Sequence, residues 1–491
     1  MKVQHYKIIM YTGLFSLLLS CKKDFLNVVP QGRQLVTTTA DFDKVMNDQG
    51  LYLYDFAGGW QQLVLMGDDV AAEERHYNSG GSPGMSQRAF EWQADVFTPT
   101  DYDWTMQLYM GNVYTVNKVI NGVNESTGGS AEQKSALLAE AKANRAWLYF
   151  QFANFFGKPY NQSTASSDPA FPIITSADIN ATGFTRASVK QVYDFITTDL
   201  KDAISKLPLS GKSKVRFNKA AAEALLGKVY LFTGDNINAV AMLNAAIKDN
   251  SASSTSAVLY NYNQTFAPDG EFYPVTDYGP TNSPFGGYTN VTESLVAKSF
   301  YNGPYNGNGF MNDFIVLSPQ ARALFDPADL RLNFYAAQFP YQEVNPSGRL
   351  SKIGVQLSRF GIQLPELYLL SGEAKARNGD LAGAVADVET LRKNRLPADR
   401  AAISGTIASN QNLLIRFIFD ERVREFAAEG YRWFDMRRMS VDPLFSGQKF
   451  THLLYADETN NAKTITLDEK RLTLKLPYYI MVGNPQITNN P

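Results

Sequence analysis

Cysteine and histidine are scarce in this chain of 491 residues, and their scarcity argues against several kinds of site. The single cysteine, Cys21, cannot form a disulfide within the chain, so the fold must be held together by packing. The three histidines, His5, His76 and His452, lie far apart. Their spacing matches neither a zinc site nor a serine-type catalytic triad. We therefore predict no metal and no cofactor.

An excess of one charge sign is also missing, because 46 Lys and Arg residues are balanced by 48 Asp and Glu residues. The sequence contains no block of basic residues that could bind along a phosphate backbone, so a nucleic acid is not expected as a partner. Aromatic residues, in contrast, are abundant, with 26 Tyr, 31 Phe and 5 Trp. Most of them belong in a core, but the tyrosine excess leaves rings for a binding surface.

The N-terminus carries an apolar run, residues 8–19, after Lys2 and Lys7. Such a run is too short to span a membrane and is typical of a secretory signal, so we predict that residues 1–20 are removed. Cys21 follows the small Ser20, and the order Leu-Leu-Ser-Cys is similar to a bacterial lipobox. A buried free thiol is the alternative. Lipidation of Cys21 is favoured, and several acyl chains would anchor the protein stably in a membrane.

Helical periodicity dominates the rest of the chain. We predict helices at residues 41–55, 104–123, 131–156 and 189–207, the last two ending before Gly157 and Pro208. Two later stretches repeat each other, and each has a glycine and an aspartate between two helices. The matching pairs are Leu225 with Leu370, Gly227 with Gly372, Gly234-Asp235 with Gly379-Asp380, and residues 239–241 with 384–386. These patterns predict helical hairpins of the tetratricopeptide type, which bury their apolar faces by stacking.

Between the two hairpins, residues 251–351 are rich in Gly, Pro, Asn and Tyr and support no long helix. A structureless loop of that length is implausible in a compact domain, so we expect short strands and turns. The predicted organisation is one domain, residues 21–491, after the signal peptide. It has a helical scaffold at about residues 35–250 and 352–440, a loop-rich insertion at about 251–351, and a C-terminal tail at 441–491.

Several segments of the chain carry a family resemblance. Residues 22–32 read Lys-Lys-Asp-Phe-Leu-Asn-Val-Val-Pro-Gln-Gly. The most specific segment is residues 420–438, and the others are Asp103-Trp104, Tyr109 and Asn117, residues 141–160, Leu476-Pro477, Asn484-Pro485 and Asn490-Pro491. In this order the segments resemble the SusD/RagB-like family of Bacteroidetes lipoproteins, and residues 22–32 are close to the start of that family after its lipid cysteine.

The resemblance implies a mainly α fold, with a tetratricopeptide-like helical-hairpin scaffold and an irregular, loop-rich half that binds ligand. It also implies a lipoprotein at the outer membrane, exposed on the cell surface, with a SusC-like TonB-dependent transporter as partner and a glycan as ligand. Lys22, Lys23 and Asp24 resemble the short charged tag that directs such lipoproteins to the surface.

Clustered carboxylates raise the question of catalysis and of metal binding. Glu421, Glu425 and Glu429 could include an acid–base pair of a glycoside hydrolase. At helical spacing beside Arg422, Arg424 and Arg432, however, they favour a salt-linked network between packed helices. The acidic residues Asp68, Asp69, Glu73, Glu74, Asp101 and Asp103 could ligate calcium, but they lack the spacing of a known loop. A solvated turn is favoured, and no catalytic residue is predicted.

Sugar rings present apolar faces that lie flat on aromatic side chains, and their hydroxyls need polar groups at the rim. Two stretches offer both, one with Trp60, Asp68, Tyr77, Asn78 and Trp92, the other from Tyr273 to Asn312. The leading ligand-binding residues are Tyr273, Tyr278, Tyr288, Tyr301 and Tyr305, followed by Trp60 and Tyr77. Three alternatives stay open, namely the same architecture binding oligopeptides for import, a glycoside hydrolase, and a purely structural surface protein.

Overall fold

The structure is a computed structural model that describes residues 36–54, 60–78, 84–101, 104–277, 279–283, 287, 289–301, 314–338 and 343–491. The side chains of Trp60, Gln61, Trp104 and Thr105 are outside the description. Within these ranges, every helix is too short or too polar to cross a membrane.

Helices outnumber strands, and the strands are short. The helices are α1 (Thr39–Val45), α2 (Trp60–Met66), α3 (Glu74–Tyr77), α4 (Met85–Phe90), α5 (Trp104–Gly122), α6 (Ala131–Phe156), α7 (Val189–Ile204), α8 (Lys219–Thr233), α9 (Asn236–Ala252), α10 (Tyr262–Thr265), α11 (Pro319–Leu324), α12 (Leu364–Arg377), α13 (Leu381–Arg392), α14 (Gly405–Ala408), α15 (Gln411–Phe426), α16 (Tyr431–Met439) and α17 (Tyr478–Gly483). The strands are β1 (Leu53–Tyr54), β2 (Val70–Glu73), β3 (Val275–Thr276), β4 (Gly279–Pro280), β5 (Ser294–Val296), β6 (Ser299–Tyr301), β7 (Ile315–Leu317), β8 (Tyr335–Ala336), β9 (Ser351–Lys352), β10 (Leu357–Arg359), β11 (Ile362–Gln363), β12 (Thr451–Tyr455) and β13 (Ala462–Thr466).

The two predicted helical hairpins are confirmed as α8–α9 and α12–α13. Gly234 and Gly379 follow the first helix of each hairpin with positive φ angles of 82° and 85°, a region that costs other residues strain. Asp235 and Asp380 then cap the second helices by accepting a backbone N–H. Helix α9 packs against α12, so the hairpins stack on each other as tetratricopeptide repeats do.

Small residues allow the helices of each hairpin to approach closely. A Cβ atom on Gly227 would lie 2.6 Å from Cγ of Leu243, and one on Gly372 would lie 2.8 Å from Cγ2 of Val388. Both glycines face the partner helix. Gly227 and Gly372 are therefore needed for close packing and do not end a helix, unlike Gly234 and Gly379.

Replacing the glycine in the first hairpin tests this close approach. We expect Gly227→Val to lower the free energy of unfolding by about 1–3 kcal/mol, because the added side chain overlaps Leu243. Gly111→Ala is the control, since Gly111 lies inside α5 with no atom within 4 Å of an added Cβ. That control should raise the stability by about 1 kcal/mol through helix propensity. Denaturant unfolding followed by circular dichroism measures both changes, and equal stability of the two variants would contradict the packing argument.

Helix α6 has the bounds predicted from sequence. Ser130 caps its N-terminus in a capping box with Gln133, and the helix ends at Gly157. Its last carbonyl groups accept hydrogen bonds from side chains distant in sequence. Arg437 donates to the carbonyl oxygens of Ala153 and Gly157, and Arg186 and Asn490 donate to that of Phe156. The C-terminal tail is thereby tied to the scaffold.

The prediction of one helix over residues 41–55 is wrong beyond its first turns. Helix α1 ends at Val45, and a 3₁₀ turn at Gln49–Leu51 follows. Asp48 terminates the helical path, because its carboxylate accepts the N–H of Gly50 and starts the new turn. The chain then extends into β1, whose pairing with β6 is a tertiary contact that helical periodicity does not reveal. The other three predicted helices are present as α5, α6 and α7.

The described part of the insertion contains the predicted short strands and turns, together with the short helices α10 and α11. Its strands pair with strands of the scaffold in the sheets β1-β6-β10 and β13-β12-β2-β7. It also has its own apolar cluster, which reaches the scaffold at Val423 and Ala427. Both lie in residues 420–438, the most specific family match, which we call the signature region. The members that lie in the insertion are Tyr262, Phe272, Leu317, Ala321, Phe325, Phe334 and Tyr335. The surface of the insertion therefore stands on a rigid aromatic base.

Candidate functional site

The two aromatic stretches singled out in the sequence meet at paired strands. Strand β1 pairs in parallel with β6, with Leu53 opposite Ser299 and Tyr54 opposite Phe300. Because the strands run in the same direction, the chain leaves both at one edge, which we call the loop edge. Residue 60 begins α2 shortly after β1, and Tyr301 ends β6. The parallel pairing thus explains how the first stretch comes to lie beside the second.

A second pairing brings the same stretches together again. Strands β2 and β7 are antiparallel, with Ala72 opposite Ile315, and the N–H of Glu73 donates to the carbonyl oxygen of Phe314. The Tyr77 ring, one turn further, contacts the Phe314 ring edge-on at a centroid distance of 5.2 Å. The end of β2 therefore lies beside the start of β7.

An exposed tyrosine stands on the β3–β4 hairpin of the insertion. Tyr273 is 46% exposed, whereas the preceding Phe272 is fully buried against Tyr260, Tyr262, Phe266 and Phe334. Residues 273–277 are all exposed, so the buried Phe272 ring fixes the start of this exposed segment. Val275 beside it is also exposed, at 38%. The result is a small apolar surface on a firm support.

The hairpin is held close to the loop edge. Gly279, with φ of 85°, approaches Gly354 so closely that an added Cβ would lie 2.8 Å from its Cα atom. Ser283 donates a hydrogen bond to the carbonyl oxygen of Gly354 at 3.0 Å. Leu357, three residues after Gly354, pairs with Tyr301. An extended chain spans about 3.3–3.6 Å per residue, so the backbones of Gly279 and Tyr301 lie within about 20 Å of each other.

The predicted ligand-binding residues differ in their placement. Tyr273 is exposed, and Tyr301 is partly exposed at the end of β6. Tyr77 is only 7% exposed, with its ring against Phe90 and Phe314, so it belongs to the core and offers no ring face to a ligand. Residue 60 lies on α2, but its side chain is outside the described residues, as are Cys21, Tyr278, Tyr288 and Tyr305.

Trp92 from the first stretch is likewise buried. It is 3% exposed, and its indole N–H donates to the carbonyl oxygen of Met66 at 2.9 Å. Its ring stacks on His452 at a centroid distance of 3.8 Å. Burial lowers the pKa of His452 to about 4. The imidazole ring, with Nδ1 2.7 Å from the carbonyl oxygen of Phe90 and Nε2 2.7 Å from that of Gly67, is therefore part of the core.

Polar side chains that the sequence did not indicate surround Glu73 at the end of β2. Arg349 donates to both carboxylate oxygens of Glu73, at 2.9 and 3.1 Å, and lies over the Tyr455 ring with its Cζ atom 3.4 Å from the centroid. Ser347 and Asn345 also donate to Glu73. Glu73 therefore joins β2, the segment before β9 and the β12–β13 hairpin. No local pattern in the sequence indicates these partners, since Glu73 and Arg349 are far apart in the chain.

The acidic residues considered for calcium have other partners. Asp68 pairs with Arg432 at 2.5 Å, and Asp69 accepts the backbone N–H of Ala428 at 2.8 Å. Burial raises the pKa of Asp69 to about 6. Asp101 accepts the backbone N–H of Thr98, and Asp103 lies outside the described residues. Within the described ranges, no group of three or more His, Cys, Asp or Glu residues is placed to hold a metal ion.

The signature region forms the salt-linked network that its spacing indicated. Glu421 is fully buried and pairs with Arg331, Arg392 and Arg424 at 2.8, 2.6 and 2.8 Å. Burial alone would raise its pKa, but the attraction of the guanidinium groups outweighs burial and lowers the pKa of Glu421 to about 2. The Glu421 carboxylate is thus ionised and bound by its arginine partners.

The same network joins the scaffold to the insertion. Glu425 pairs with Arg331 and Arg395, and Arg395 also pairs with Glu293 at 2.8 Å. Glu429 pairs with Lys352 of β9. Trp433 and Phe434 are buried against α6 of the scaffold, where Trp433 donates to the carbonyl oxygen of Asn154 and the Phe434 ring stacks on Phe150. Since Glu293, Arg331 and Lys352 belong to the insertion or its border, the network fixes the base on which Tyr273 stands.

Two family models match the chain. A model described as "Starch-binding associating with outer membrane" matches residues 24–231, and a model described as "SusD family" matches residues 352–491. A SusD-like protein P38 from Formosa agariphila is 24% identical over 358 residues. That match covers 61% of this chain and 66% of the relative, so about a third of the relative lies outside it.

Solved structures share the fold over nearly the whole chain. A putative sugar binding protein from Bacteroides vulgatus superposes with a TM-score of 0.69 at 20% identity and covers 94% of this chain and 99% of its own. A laminarin binding SusD-like protein has a TM-score of 0.60 at 19% identity, with 93% of this chain and 99% of its own covered. At these identities the likeness shows the fold.

Proposed function

Since the chain belongs to the SusD/RagB family, we propose that it binds oligosaccharides or polysaccharides at the loop edge and the β3–β4 hairpin. Binding would occur without bond cleavage, and the glycan would then pass to a SusC-like TonB-dependent transporter in the outer membrane. The observation that carries the proposal is the exposed Tyr273 ring next to the buried Phe272, before a hairpin whose Gly279 lies within about 20 Å of the end of β6. The solved relatives described as sugar binding and laminarin binding support it.

The geometry suits capture better than catalysis. An exposed ring can lie against the apolar face of a sugar, while polar side chains at the rim take its hydroxyl groups. Glu421, Glu425 and Glu429, which were considered for acid–base chemistry, are each paired with a cation. Their arrangement supports a structural role for these carboxylates.

The first experiment is isothermal titration of the mature protein against panels of plant, host and microbial oligosaccharides. With a ligand that binds, Tyr273→Ala should weaken the affinity about 5- to 30-fold, as expected when a central aromatic contact of 1–2 kcal/mol is lost. Tyr478→Ala is the matched control, because Tyr478 is similarly exposed, at 52%, but lies on α17 in the C-terminal tail. It should leave the affinity unchanged. No binding across the panels, or equal losses in both variants, would contradict the proposal.

An oligopeptide is the second candidate cargo, and β3 is the observation that favours it. Both residues of β3 are exposed, and among the described strands only β4 pairs with it. Such an edge can accept an extended peptide by adding a strand. Titration with mixed oligopeptides in parallel separates the two cargoes. Release of reducing ends from a bound polymer would instead establish a glycoside hydrolase.

The proposed place of work is the outer face of the outer membrane, with Cys21 as the lipid anchor. Support comes from the signal-like residues 1–20, the lipobox-like order before Cys21 and the family description that names the outer membrane. The partner can be identified by solubilising membranes gently and isolating this protein with whatever it binds. Co-purification of a large TonB-dependent barrel is expected.

A further inference from the structure

A cavity of about 410 Å³ lies on the helical scaffold, apart from the loop edge. It opens where the C-terminal ends of α6, α8, α12 and α16 meet the start of α9. The volume falls within the range of about 300–1,000 Å³ that is usual for small-ligand sites. None of the residues predicted from the sequence to bind ligand lines it.

The walls combine rings with free amides and a hydroxyl. Tyr160 and Phe232 contribute aromatic surface, and Gln162 and Asn236 contribute side-chain amides. Within the described residues, the Tyr160 hydroxyl and the Gln162 amide make no hydrogen bond, and Oδ1 of Asn236 accepts none. Groups of this kind suit a small ring that carries hydroxyl groups.

One arginine at the cavity has no carboxylate partner among the described residues. Two of the three arginines in the lining are paired, Arg377 with Glu373 and Asp442, and Arg438 with Glu373 and Asp435. Arg437 is different, because it is 1% exposed and has no carboxylate within 4 Å among the described residues. It donates only to backbone carbonyl oxygens, and its Nε atom has no partner.

A buried guanidinium without a carboxylate favours a negative charge nearby, because the low local dielectric strengthens the attraction. Its tie to the end of α6 explains its position and offsets part of its charge, since the C-terminal end of a helix is equivalent to about half a negative charge, but among the described residues no carboxylate balances the rest. We propose that this cavity binds a small hydroxylated organic anion, of the size of one sugar acid, with its carboxylate toward Arg437 and its ring between Tyr160 and Phe232. This site would be separate from the glycan surface at the loop edge.

The test is titration of the mature protein with sodium glucuronate, glucose and sodium acetate in low-salt buffer. Glucuronate should bind at least about tenfold more tightly than either of the other two, because only glucuronate has both the charge and the ring. Raising the salt concentration should weaken the binding of glucuronate. Equal affinities for glucuronate and glucose, or no binding of glucuronate, would overturn the proposal. Acetate as strong as glucuronate would overturn the role of the ring.

A matched pair of variants at the cavity mouth tests whether glucuronate binds in this cavity. Val441 lines the cavity and is 39% exposed, so its replacement should not disturb the core. Val441→Glu adds a second negative charge and should weaken glucuronate about five- to tenfold. Val441→Gln has the same length without the charge and should stay within about twofold. Unchanged binding by Val441→Glu would show that the anion binds elsewhere, and equal loss in both variants would point to obstruction rather than charge. Neither result depends on the oligosaccharide experiment with Tyr273.

Discussion

Glu421→Gln should destabilise the protein by about 3–5 kcal/mol, the cost of removing one partner from a buried ion cluster. The amide has nearly the same shape, so packing is preserved, but the charge that balances Arg331, Arg392 and Arg424 is lost. The expected measurement is a large shift in the denaturant midpoint with an unchanged slope. Because the network also supports the insertion, oligosaccharide affinity should fall together with stability.

Two comparisons make this result specific to the cluster. Glu458→Gln changes an exposed glutamate in the loop between β12 and β13 and should stay within about 0.5 kcal/mol. Combining Glu421→Gln with Arg392→Gln removes one charge of each sign, so the double variant should lose less stability than the sum of the two single variants. Strict additivity, or a stable Glu421→Gln protein, would show that the guanidinium groups do not depend on this carboxylate.

In cells that lack the proposed transporter, Cys21→Ala should move nearly all of the protein from the membrane fraction to the soluble fraction. The proposed attachment is lipid alone, and each buried CH₂ of an acyl chain contributes about 0.8 kcal/mol. Without the thiol there is no site for the chains, and no helix in the described part of the chain is long and apolar enough to replace them. Fractionation of cells, together with incorporation of a fatty-acid probe, measures the change.

Ser20→Ala is the control for that experiment, since it keeps a small residue before the cysteine. It should leave both lipid incorporation and membrane attachment intact. A Cys21→Ala protein that stayed in the membrane fraction at the level of the unaltered protein would exclude Cys21 as the anchor.

Much of the scaffold could be predicted from the sequence because its signals are local. The glycine–aspartate pairs at Gly234 and Gly379 end one helix and start the next, and capping depends on residues within one turn. The helix over residues 131–156 is bounded by Ser130 and Gly157 for the same reason. The prediction over residues 41–55 failed where a local helical pattern gave way to pairing between Leu53 and Ser299.

The candidate site was predictable only as two aromatic stretches. Tyr77 and Tyr273 look alike in the sequence, since both lie among polar residues and turns. One is buried against Phe90 and Phe314 and the other is exposed on a hairpin, and the difference arises from contacts with residues far away in the chain. The cavity beside Arg437 gave no signal in the sequence, because its walls come from separate helices.

Residue types at fixed spacing were enough to predict an anchor at Cys21 and to indicate the helical repeats and the family signature. The exposure of each tyrosine, the arginines around Glu421 and the position of Arg437 depend on the folded chain. Burial and charge pairing are set by distances in space between residues that lie far apart along the chain. Spacing along the chain does not contain those distances.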